Sequence, residues 1–343
     1  MSNFAPSYLT VNPHYMVPEF LMQYSQPSGA FNLLGGSSFQ TKLTESDLYV
    51  YAKTMQLTTQ VQVGQSSITN LPSASVFVEH INMPTYRIST RSQYDGFDEA
   101  AASTWGYALN DANRLAARQG INQCLRNVLL YGVNPSNYEG LVNTAGVTKT
   151  TLPTDSNGNV GYANWDSGQL AMYLSNLIGT IHTNTYQMGI PLRIEVLGPQ
   201  RFFQALTFDG LVNLVQFQRE GGGVETAAGL VSTIVDWSAG DSLNYSVDDT
   251  LINQGTGGNT DLIIITAPEI KVSGRGMDIN TNIFASLTPN ILSTNVMFSD
   301  MPAPKEIPTP IADGGITTMY TMRVTPGWAW RPEATIILSA AYT

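Results

Sequence analysis

Apolar and polar residues alternate along the chain after residue 46, a pattern that is typical of β-strands. β-Branched residues are frequent in the same stretches, and Gly64 with Ser66 and Ser67 separates two of them. The strand segments predicted in this way are 48–51, 57–63, 76–81 and 86–91. We expect a long two-faced β-ribbon, and because an isolated two-stranded ribbon is marginally stable in water, it needs a partner surface.

Helical signals follow this alternating region. Asp95 is placed to cap a helix that begins near Phe97, and Asp98 and Glu99 would occupy the end of the helix dipole that favours negative charge. Gly106 is expected to break or bend this helix.

A longer helix is predicted over about residues 109–131, ending before Gly132. Arg114 and Arg118 lie one turn apart on a single face of it. Apolar residues recur at helical intervals on another side, which is the side expected to face a core. They are Ala112, Leu115, Ala116, Ile121, Leu125, Val128 and Leu129.

From residue 153 onward, helical and strand patterns alternate. Helices are predicted over 169–186 and 199–206. Strands are predicted over 191–197, 231–235, 262–266, 269–272, 319–325 and 335–338. This alternation is an α/β pattern.

Residues 1–45 combine prolines with many aromatic and apolar side chains and show no clear period. Pro6, Pro13, Pro18 and Pro27 discourage both helices and central strands, yet the segment is too apolar for a disordered tail. An arm extended over a neighbouring surface accounts for both observations. A tail packed on its own domain is the alternative.

The composition indicates a chain that hides much of its surface in contacts. Of its 343 residues, 43% are hydrophobic and only 12% are charged, against roughly 25% charged in an ordinary soluble protein. Surfaces buried against partners are depleted in charge because charge is costly to desolvate, although secreted and cold-environment proteins can share this trait. The net charge of −10 argues against tight binding to a nucleic-acid backbone, but not against enclosing DNA.

Few residues could carry chemistry. Cys124, the one cysteine, lies among apolar residues of the long helix and is interpreted as a small buried hydrophobe. His14, His80 and His182 show no metal-ligand spacing, and the glycine-rich loop 255–258 lacks the third glycine of a dinucleotide fingerprint. We therefore predict no catalytic residue, no cofactor and no metal site.

Two acidic groupings have a functional and a structural interpretation. Asp155 and Asp166 bracket a half-match to a calcium loop, for which a plain turn is favoured because the glycine comes one position late. Asp248 and Asp249 are interpreted as a solvated turn rather than an acid/base pair, since adjacent residues rarely point together.

The order of elements between Leu71 and Asn143 resembles the core of the major capsid proteins of tailed bacteriophages, which have the Hong Kong 97 fold shared with encapsulins. A ribbon precedes two helices, and the second, residues 109–131, matches the long spine helix of that family. The stretch 140–143 is similar to the turn that follows the spine helix. A looser similarity covers 323–338, which resembles the returning strands.

The resemblance implies a Hong Kong 97-like α+β fold with five parts. They are an N-terminal arm at 1–45, an extended β-ribbon loop at 46–75, a peripheral domain at 76–150 with the spine helix at about 109–131, an axial domain at 151–300, and returning C-terminal strands at 301–343. Some family members cross-link a loop lysine to a neighbouring asparagine. Lys53 is the only loop lysine available, and because no feature identifies its partner, no cross-link is predicted.

The resemblance further implies a major capsid protein that self-assembles, as pentamers and hexamers, into the icosahedral shell around the double-stranded DNA of a tailed phage. Such a protein is not an enzyme and would lie in the virion capsid after assembly in the host bacterial cytoplasm, without contact with a membrane. Portal, scaffolding and decoration proteins would be its other partners. An encapsulin-type nanocompartment shell is a near alternative with the same fold.

A function of another class rests on Trp328 and Trp330, which share one face of an extended chain. Such a pair can stack on a sugar or a base, which would suit a β-rich carbohydrate-binding module. Anchoring in a core or an interface is the commoner use of paired tryptophans.

Overall fold

The computed structural model describes residues 28–34, 42–58, 75–104, 108–185, 190–208, 240–270, 293–311 and 314–343, and the positions 229, 231, 232, 235 and 236. These residues form the helices α1 (Gly96–Thr104), α2 (Leu109–Tyr131), α3 (Ser167–Asn184) and α4 (Gln200–Phe208). The strands are β1 (Tyr49–Thr58), β2 (Ser75–Pro84), β3 (Tyr86–Tyr94), β4 (Thr148–Thr151), β5 (Arg193–Gly198), β6 (Ser242–Val247), β7 (Thr260–Thr266), β8 (Val296–Met297), β9 (Lys305–Pro310), β10 (Ile316–Val324), β11 (Trp328–Ala329) and β12 (Thr335–Ala341).

A five-stranded mixed sheet has the strand order β4-β12-β7-β5-β6. β4 and β6 run parallel to their neighbours, and β7 is antiparallel to both β12 and β5. All of β7 after Thr260 is buried. This strand therefore reads as an almost continuous apolar run, as expected where both faces of a sheet are covered.

Alternate residues of the central strands enter two hydrophobic cores on opposite faces of this sheet. Ile263 and Ile265 belong to a core built with α3 and α4. Leu262 and Ile264 belong to a second core built with α2 and β10. α3 begins at Ser167, slightly earlier than predicted, because Asp166 caps it.

α2 runs over the range that the sequence predicted. From Ala117 onward it enters the second core, through Ala117, Ile121, Leu125, Val128, Leu129 and Leu130. Leu115 and Ala116, predicted on the core side, are instead exposed, because the core does not extend to that end of the helix. Its N-terminal half is held by two arginines: Nε of Arg114 and Nη2 of Arg118 lie 2.8 and 3.5 Å from Oε1 of Glu306 in β9. The predicted common face of the two arginines is confirmed by this shared partner.

The loop after α2 closes the C-terminal end of that helix. The backbone N–H groups of Leu141 and Val142 donate to the carbonyls of Leu129 and Leu130 at 3.1 and 2.9 Å, which pairs carbonyls that the last helical turn leaves open. Gly140 has a φ of 90°, and a Cβ added there would lie 2.2 Å from the carbonyl carbon of the last helical residue. The two backbone segments are therefore too close for a side chain.

A three-stranded antiparallel sheet with the order β3-β10-β9 packs against α2. Tyr320, Met322 and Val324 of β10 face the second core, and the alternate residues form the outer face of this sheet. β9 was not predicted because Pro308 and Pro310 disfavour strands. It lies at the edge of the sheet, where a proline need not donate a hydrogen bond.

β1 and β2 form a separate two-stranded ribbon, with a register from Tyr49↔Pro84 to Thr58↔Ser75. At ~3.3 Å per residue, its ten paired positions extend over about 33 Å. The predicted end of the ribbon at residue 75 is too early. Residues 76–81, one of the strand segments predicted for the ribbon, belong to its returning strand β2, which pairs with β1 as far as Pro84.

Residues 28–34, predicted as part of an extended arm, pack on their own chain. Ala30 and Leu33 have 0% exposure in the second core, and the N–H of Gly29 donates to the carbonyl of Val247 at 2.9 Å. For these residues the alternative, a tail packed on its own domain, is confirmed, because the apolar side of a short 3₁₀ turn completes that core. The residues of the arm before position 28 lie outside the described ranges.

The strand predicted at 231–235 is also wrong. The backbone is helical at each of its described positions, and Val231 and Val235 are buried one helical turn apart. The N–H of Gly240 donates to the carbonyl of Asp236 at 2.8 Å, a helical interval. Tertiary packing of the two valines overrides their preference for strands.

Candidate assembly surfaces

The ribbon formed by β1 and β2 carries apolar side chains on both of its faces. Residues that are directly opposite each other in an antiparallel pair share a face, so the register assigns each side chain. The first face carries Tyr49, Tyr51, Val76 and Val78, and the second carries Phe77 and Ile81.

These apolar side chains are exposed. Phe77 is 70% exposed, Tyr51 is 68% exposed and Val76 is 57% exposed. The first eight residues of β2 are all exposed, whereas a strand with one covered face alternates between buried and exposed positions. Exposed apolar surface of this kind marks an interaction site, and here both faces of the ribbon present it.

Polar contacts fix the base of the ribbon to the three-stranded sheet. Arg323 of β10 donates from Nε to the backbone carbonyl of Glu45 at 2.6 Å, and from Nη1 to Oγ1 of Thr85 at 2.9 Å. The hydroxyl of Thr85 donates to the carbonyl of Asp47 at 2.5 Å. Because these residues precede β1 and follow β2, the network sets where the ribbon leaves the body of the protein.

A depression opens beside this network, and we call it the basal depression. It is lined by Glu45, Arg87, Met301, Lys305, Thr321, Met322 and Arg323. Nζ of Lys305 lies 2.7 Å from Oε2 of Glu45, and this hydrogen bond and charge hold the pKa of Glu45 below its usual range. Among the residues that line it, Glu45 is the one carboxylate against three cations, so the lining of the basal depression carries a local positive excess in a chain of net charge −10.

α1 makes little contact with the body of the protein. None of its residues is buried, and Phe97 is 82% exposed. The N–H of Asp98 donates to Oδ1 of Asp95 at 2.7 Å, so the predicted cap is confirmed. The first turn therefore presents an exposed aromatic ring next to the carboxylates of Asp98 and Glu99.

His182 is a structural histidine. Its Nε2 lies 2.5 Å from Oδ2 of Asp241, and Oδ1 of the same carboxylate accepts the N–H of Leu192 at 2.7 Å. Both side chains are almost fully enclosed. The pair joins α3 to the segments that lead into β5 and β6.

The other predicted candidates do not come together. His80 is exposed on the ribbon, opposite Lys53 in the register, and His14 lies outside the described ranges. Cys124 is half-buried against the second core, and burial raises the pKa of its thiol. That environment suits the predicted role of a small apolar residue.

The half-match to a calcium loop is a hydrogen-bonded turn. Oδ1 of Asp155 accepts the N–H groups of Asn157 and Asn159 at 2.8 and 2.7 Å. Asp166 caps α3 by accepting the N–H of Gln169. Both carboxylates are thus used within the protein, as the turn interpretation predicted.

The interpretation of Asp248 as a solvated residue is wrong, because it is 1% exposed. Its carboxylate accepts the N–H and the hydroxyl of Thr250 at 3.0 and 2.6 Å and the hydroxyl of Ser28 at 2.5 Å, and these bonds offset its desolvation. Asp249 accepts the N–H of Gln200 at 2.7 Å, at the start of α4. The two carboxylates therefore support separate local structures.

An ionic cluster that sequence reasoning missed surrounds Asp261, which has 0% exposure. Its Oδ2 accepts from the hydroxyl of Tyr162 and from Nε of Arg201, both at 2.6 Å, and its Oδ1 accepts the N–H of Asn253 at 3.0 Å. Burial raises the pKa of Asp261, but these hydrogen bonds together outweigh burial and hold it below its usual range. No sequence motif joins these distant positions.

The two tryptophans are packed within the protein and are not arranged side by side on an open surface. The ring centroids of Trp328 and Trp330 lie 6.0 Å apart at an interplanar angle of 66°, and Trp328 is only 4% exposed. β11, which contains Trp328, pairs with β8. Two stacked tryptophans on an open face, which a carbohydrate site would need, are not formed here.

Within the described ranges, no group of three or more His, Cys, Asp or Glu side chains is placed to hold a metal ion. The helices of that part of the chain include none that is long and apolar enough to cross a membrane.

Comparison with known proteins finds likeness in structure and not in sequence. No protein-family model matches the chain, and no curated protein matches it. The capsid of Myoviridae phage XM1 matches with a TM-score of 0.68 and 11% identity, over 95% of this chain and 96% of that one. The capsid of cyanophage P-SCSP1u matches with a TM-score of 0.58 and 13% identity over 100% of both chains.

A third match is the capsid of an empty GTA particle, with a TM-score of 0.56 and 9% identity over 98% of this chain and 97% of that one. At such identities the likeness concerns the fold. The chain has the Hong Kong 97-like α+β fold of tailed-phage capsid proteins.

Proposed function

We propose that this chain is the major capsid protein of a tailed bacteriophage, and that it self-assembles into the icosahedral shell around the double-stranded DNA genome. The observation that carries the proposal is likeness in fold to capsid chains over 95–100% of this chain. A shared fold alone does not specify a function. The likeness here, however, extends over nearly the whole chain, and the chain carries a long ribbon whose exposed apolar faces mark an interaction surface.

The ribbon supports this function on physical grounds. A two-stranded ribbon is marginal on its own in water, and this one exposes aromatic and branched apolar side chains on both faces. Contact with neighbouring copies would cover those faces. Contacts between different patches of identical chains can close into rings and shells.

In this proposal the chain acts through association and not through catalysis. Its partners are copies of itself, as pentamers and hexamers, and the portal, scaffolding and decoration proteins of the phage. Assembly takes place in the host cytoplasm, and the product is the virion capsid. The peripheral domain comprises α1, α2 and the three-stranded sheet, and the axial domain comprises the five-stranded sheet with α3 and α4.

Electron microscopy of the expressed chain tests the proposal directly. We expect uniform hollow polyhedra, from the chain alone or with its neighbouring gene products. Nuclease-protected DNA inside particles made during infection would favour a phage capsid over an enzyme-filled compartment. A stable monomer under all of these conditions would contradict the proposal.

A variant with a shortened ribbon tests whether assembly depends on the ribbon. Tyr51 is opposite Asn82 in the register, so replacing residues 52–81 by Asn-Gly joins the two strands through a two-residue hairpin turn. The base of the ribbon is retained, and the subunit should fold with unchanged thermal stability. We expect this variant to form no shells.

A further inference from the structure

The basal depression and the first turn of α1 are complementary surfaces on one chain. The basal depression combines the cations Arg87, Lys305 and Arg323 with a half-buried Met301. The first turn of α1 combines an 82% exposed Phe97 with two carboxylates. One surface is concave and positive, and the other protrudes and is negative.

Two carboxylates, Glu45 and Asp47, interact with the three cations of the basal depression and so offset their charge only in part. Arg87 of β3 and Arg323 of β10 are directly opposite each other, and like charges in this position destabilise a sheet. The carboxylate of Glu45 is hydrogen-bonded by Lys305. Arg323 donates to the backbone carbonyl of Glu45 and to the hydroxyl of Thr85, and Arg87 donates to the hydroxyl of Thr321, so neither arginine hydrogen-bonds a carboxylate of the described residues. An anionic group from elsewhere would relieve the repulsion between the two arginines.

The two surfaces cannot meet within one chain. Arg87 lies at the start of β3, and α1 follows the end of β3. The seven steps from Arg87 to Tyr94 extend over about 23 Å. Phe97 is in the first turn of α1, so it stays near the far end of the strand whichever way the helix points.

We propose that the first turn of α1 from one copy of this chain docks in the basal depression of a neighbouring copy. Phe97 packs beside Met301, and the carboxylates of Asp98 and Glu99 face the three cations. Aromatic anchors that fill pockets are typical of interaction hot spots, and charges of opposite sign around them favour the correct partner. The contact is head-to-tail, because it joins two different patches, and such contacts build a closed ring when the rotation between neighbouring copies closes on itself.

This inference rests on the proposed assembly function, and it names one contact that would build the shell. It is tested by chemical cross-linking of the full-length chain in a Cys124→Ser background. One population carries Ala100→Cys on the exposed face of α1, and a second carries Ala303→Cys, an exposed position between Met301 and Lys305 of the basal depression. Both substitutions leave Phe97 and the charged residues in place.

We expect a short bis-maleimide to give dimers when the two populations are mixed, and at least about ten-fold less when either is treated alone. Adding Phe97→Ser to the first population should remove the dimers, because an aromatic hot spot contributes at least about 30-fold to affinity. Equal cross-linking of the Ala100→Cys population with itself would overturn the head-to-tail contact. So would shells that assemble without the mixed cross-link.

Charge reversal provides the second measurement. Glu99→Lys and Arg87→Glu should each raise the critical concentration for assembly by about ten-fold or more, and their combination in one chain should restore it to within about three-fold. Lys149→Glu, on the exposed strand β4, makes the same charge change as Arg87→Glu and should have little effect. If mixed cross-links form but no shells do, the contact stands and the proposed capsid function fails.

Discussion

Replacing Phe77 by Ser tests whether the ribbon is an interface. Phe77 is 70% exposed on the second face of the ribbon. Taking ~200 Å² for a phenylalanine side chain, a neighbouring copy that covers it removes about 140 Å² from water, worth ~3.5 kcal/mol at about 25 cal/mol per Å². Loss of side-chain freedom offsets part of this gain and leaves about 2–3 kcal/mol.

The expected result is a rise in the critical subunit concentration for shell formation. A change of about 2–3 kcal/mol corresponds to a factor of roughly 30–150, which sedimentation of assembled from unassembled protein measures directly. Phe77→Leu keeps most of the apolar area and should stay within about ten-fold of the unmodified chain. The side chain lies outside both cores, so the melting temperature of the unassembled subunit should not change.

One outcome would falsify the reasoning. If Phe77→Ser shells form at the same critical concentration as those of the unmodified chain, this side chain is not covered in the assembly. If the variant instead lowers the melting temperature of the isolated subunit, its loss of assembly reflects folding and not the interface.

Further predictions concern the stability of the unassembled subunit, measured by urea unfolding. Gly140→Ala should cost about 2–5 kcal/mol, from a left-handed φ and a backbone clash. Gly120→Ala, in α2 with nothing within 4 Å of the added Cβ, should gain about 0.5–1 kcal/mol. Arg201→Met should cost about 3–5 kcal/mol at neutral pH by leaving the buried carboxylate of Asp261 without its cation. The pKa of that carboxylate is lowered in the folded chain, so its contribution is present above the unfolded value of ~3.9 and lost as the pH falls through the folded one. The penalty in Arg201→Met should therefore shrink on acidification, and a penalty independent of pH would contradict this account. Glu306→Gln should cost less than about 1 kcal/mol, and less still in high salt, because its two arginine partners are about half exposed.

The sequence was most informative for elements whose own apolar residues recur in a pattern typical of a helix or a strand. The bounds of α2 follow from apolar residues at helical spacing and from Gly132, and β7 follows from its apolar run. The strand β6 was missed because Ser242–Val247 is half polar and obtains its order from pairing with β5. The sequence could not reveal such pairing, since the two strands are joined by a long connection.

The basal depression could not be predicted for a similar reason. Arg87 and Arg323 are far apart in sequence, and only the register of β3 with β10 places them opposite each other. Glu45 lies in the loop before β1. Its side chain accepts a hydrogen bond from Lys305 of β9, and its backbone carbonyl accepts one from Arg323 of β10. Individual charges were visible in the sequence, but their convergence is a property of the fold.

The distribution of charge explains how a chain with only 12% charged residues can stabilise both its own subunit and its contacts in an assembly. Buried carboxylates such as Asp261 and Glu195 are each paired with an arginine, which stabilises contacts inside the subunit. The ribbon is different, because its exposed apolar faces gain from burial in a way that salt does not screen. The basal depression would contribute through charges that are screened beyond ~8 Å at physiological ionic strength. Raising the concentration of simple salt should therefore weaken the contact that α1 makes with a neighbouring copy and leave the contact made by the ribbon unchanged. The order in which these two contacts are lost separates the apolar from the ionic part of the assembly.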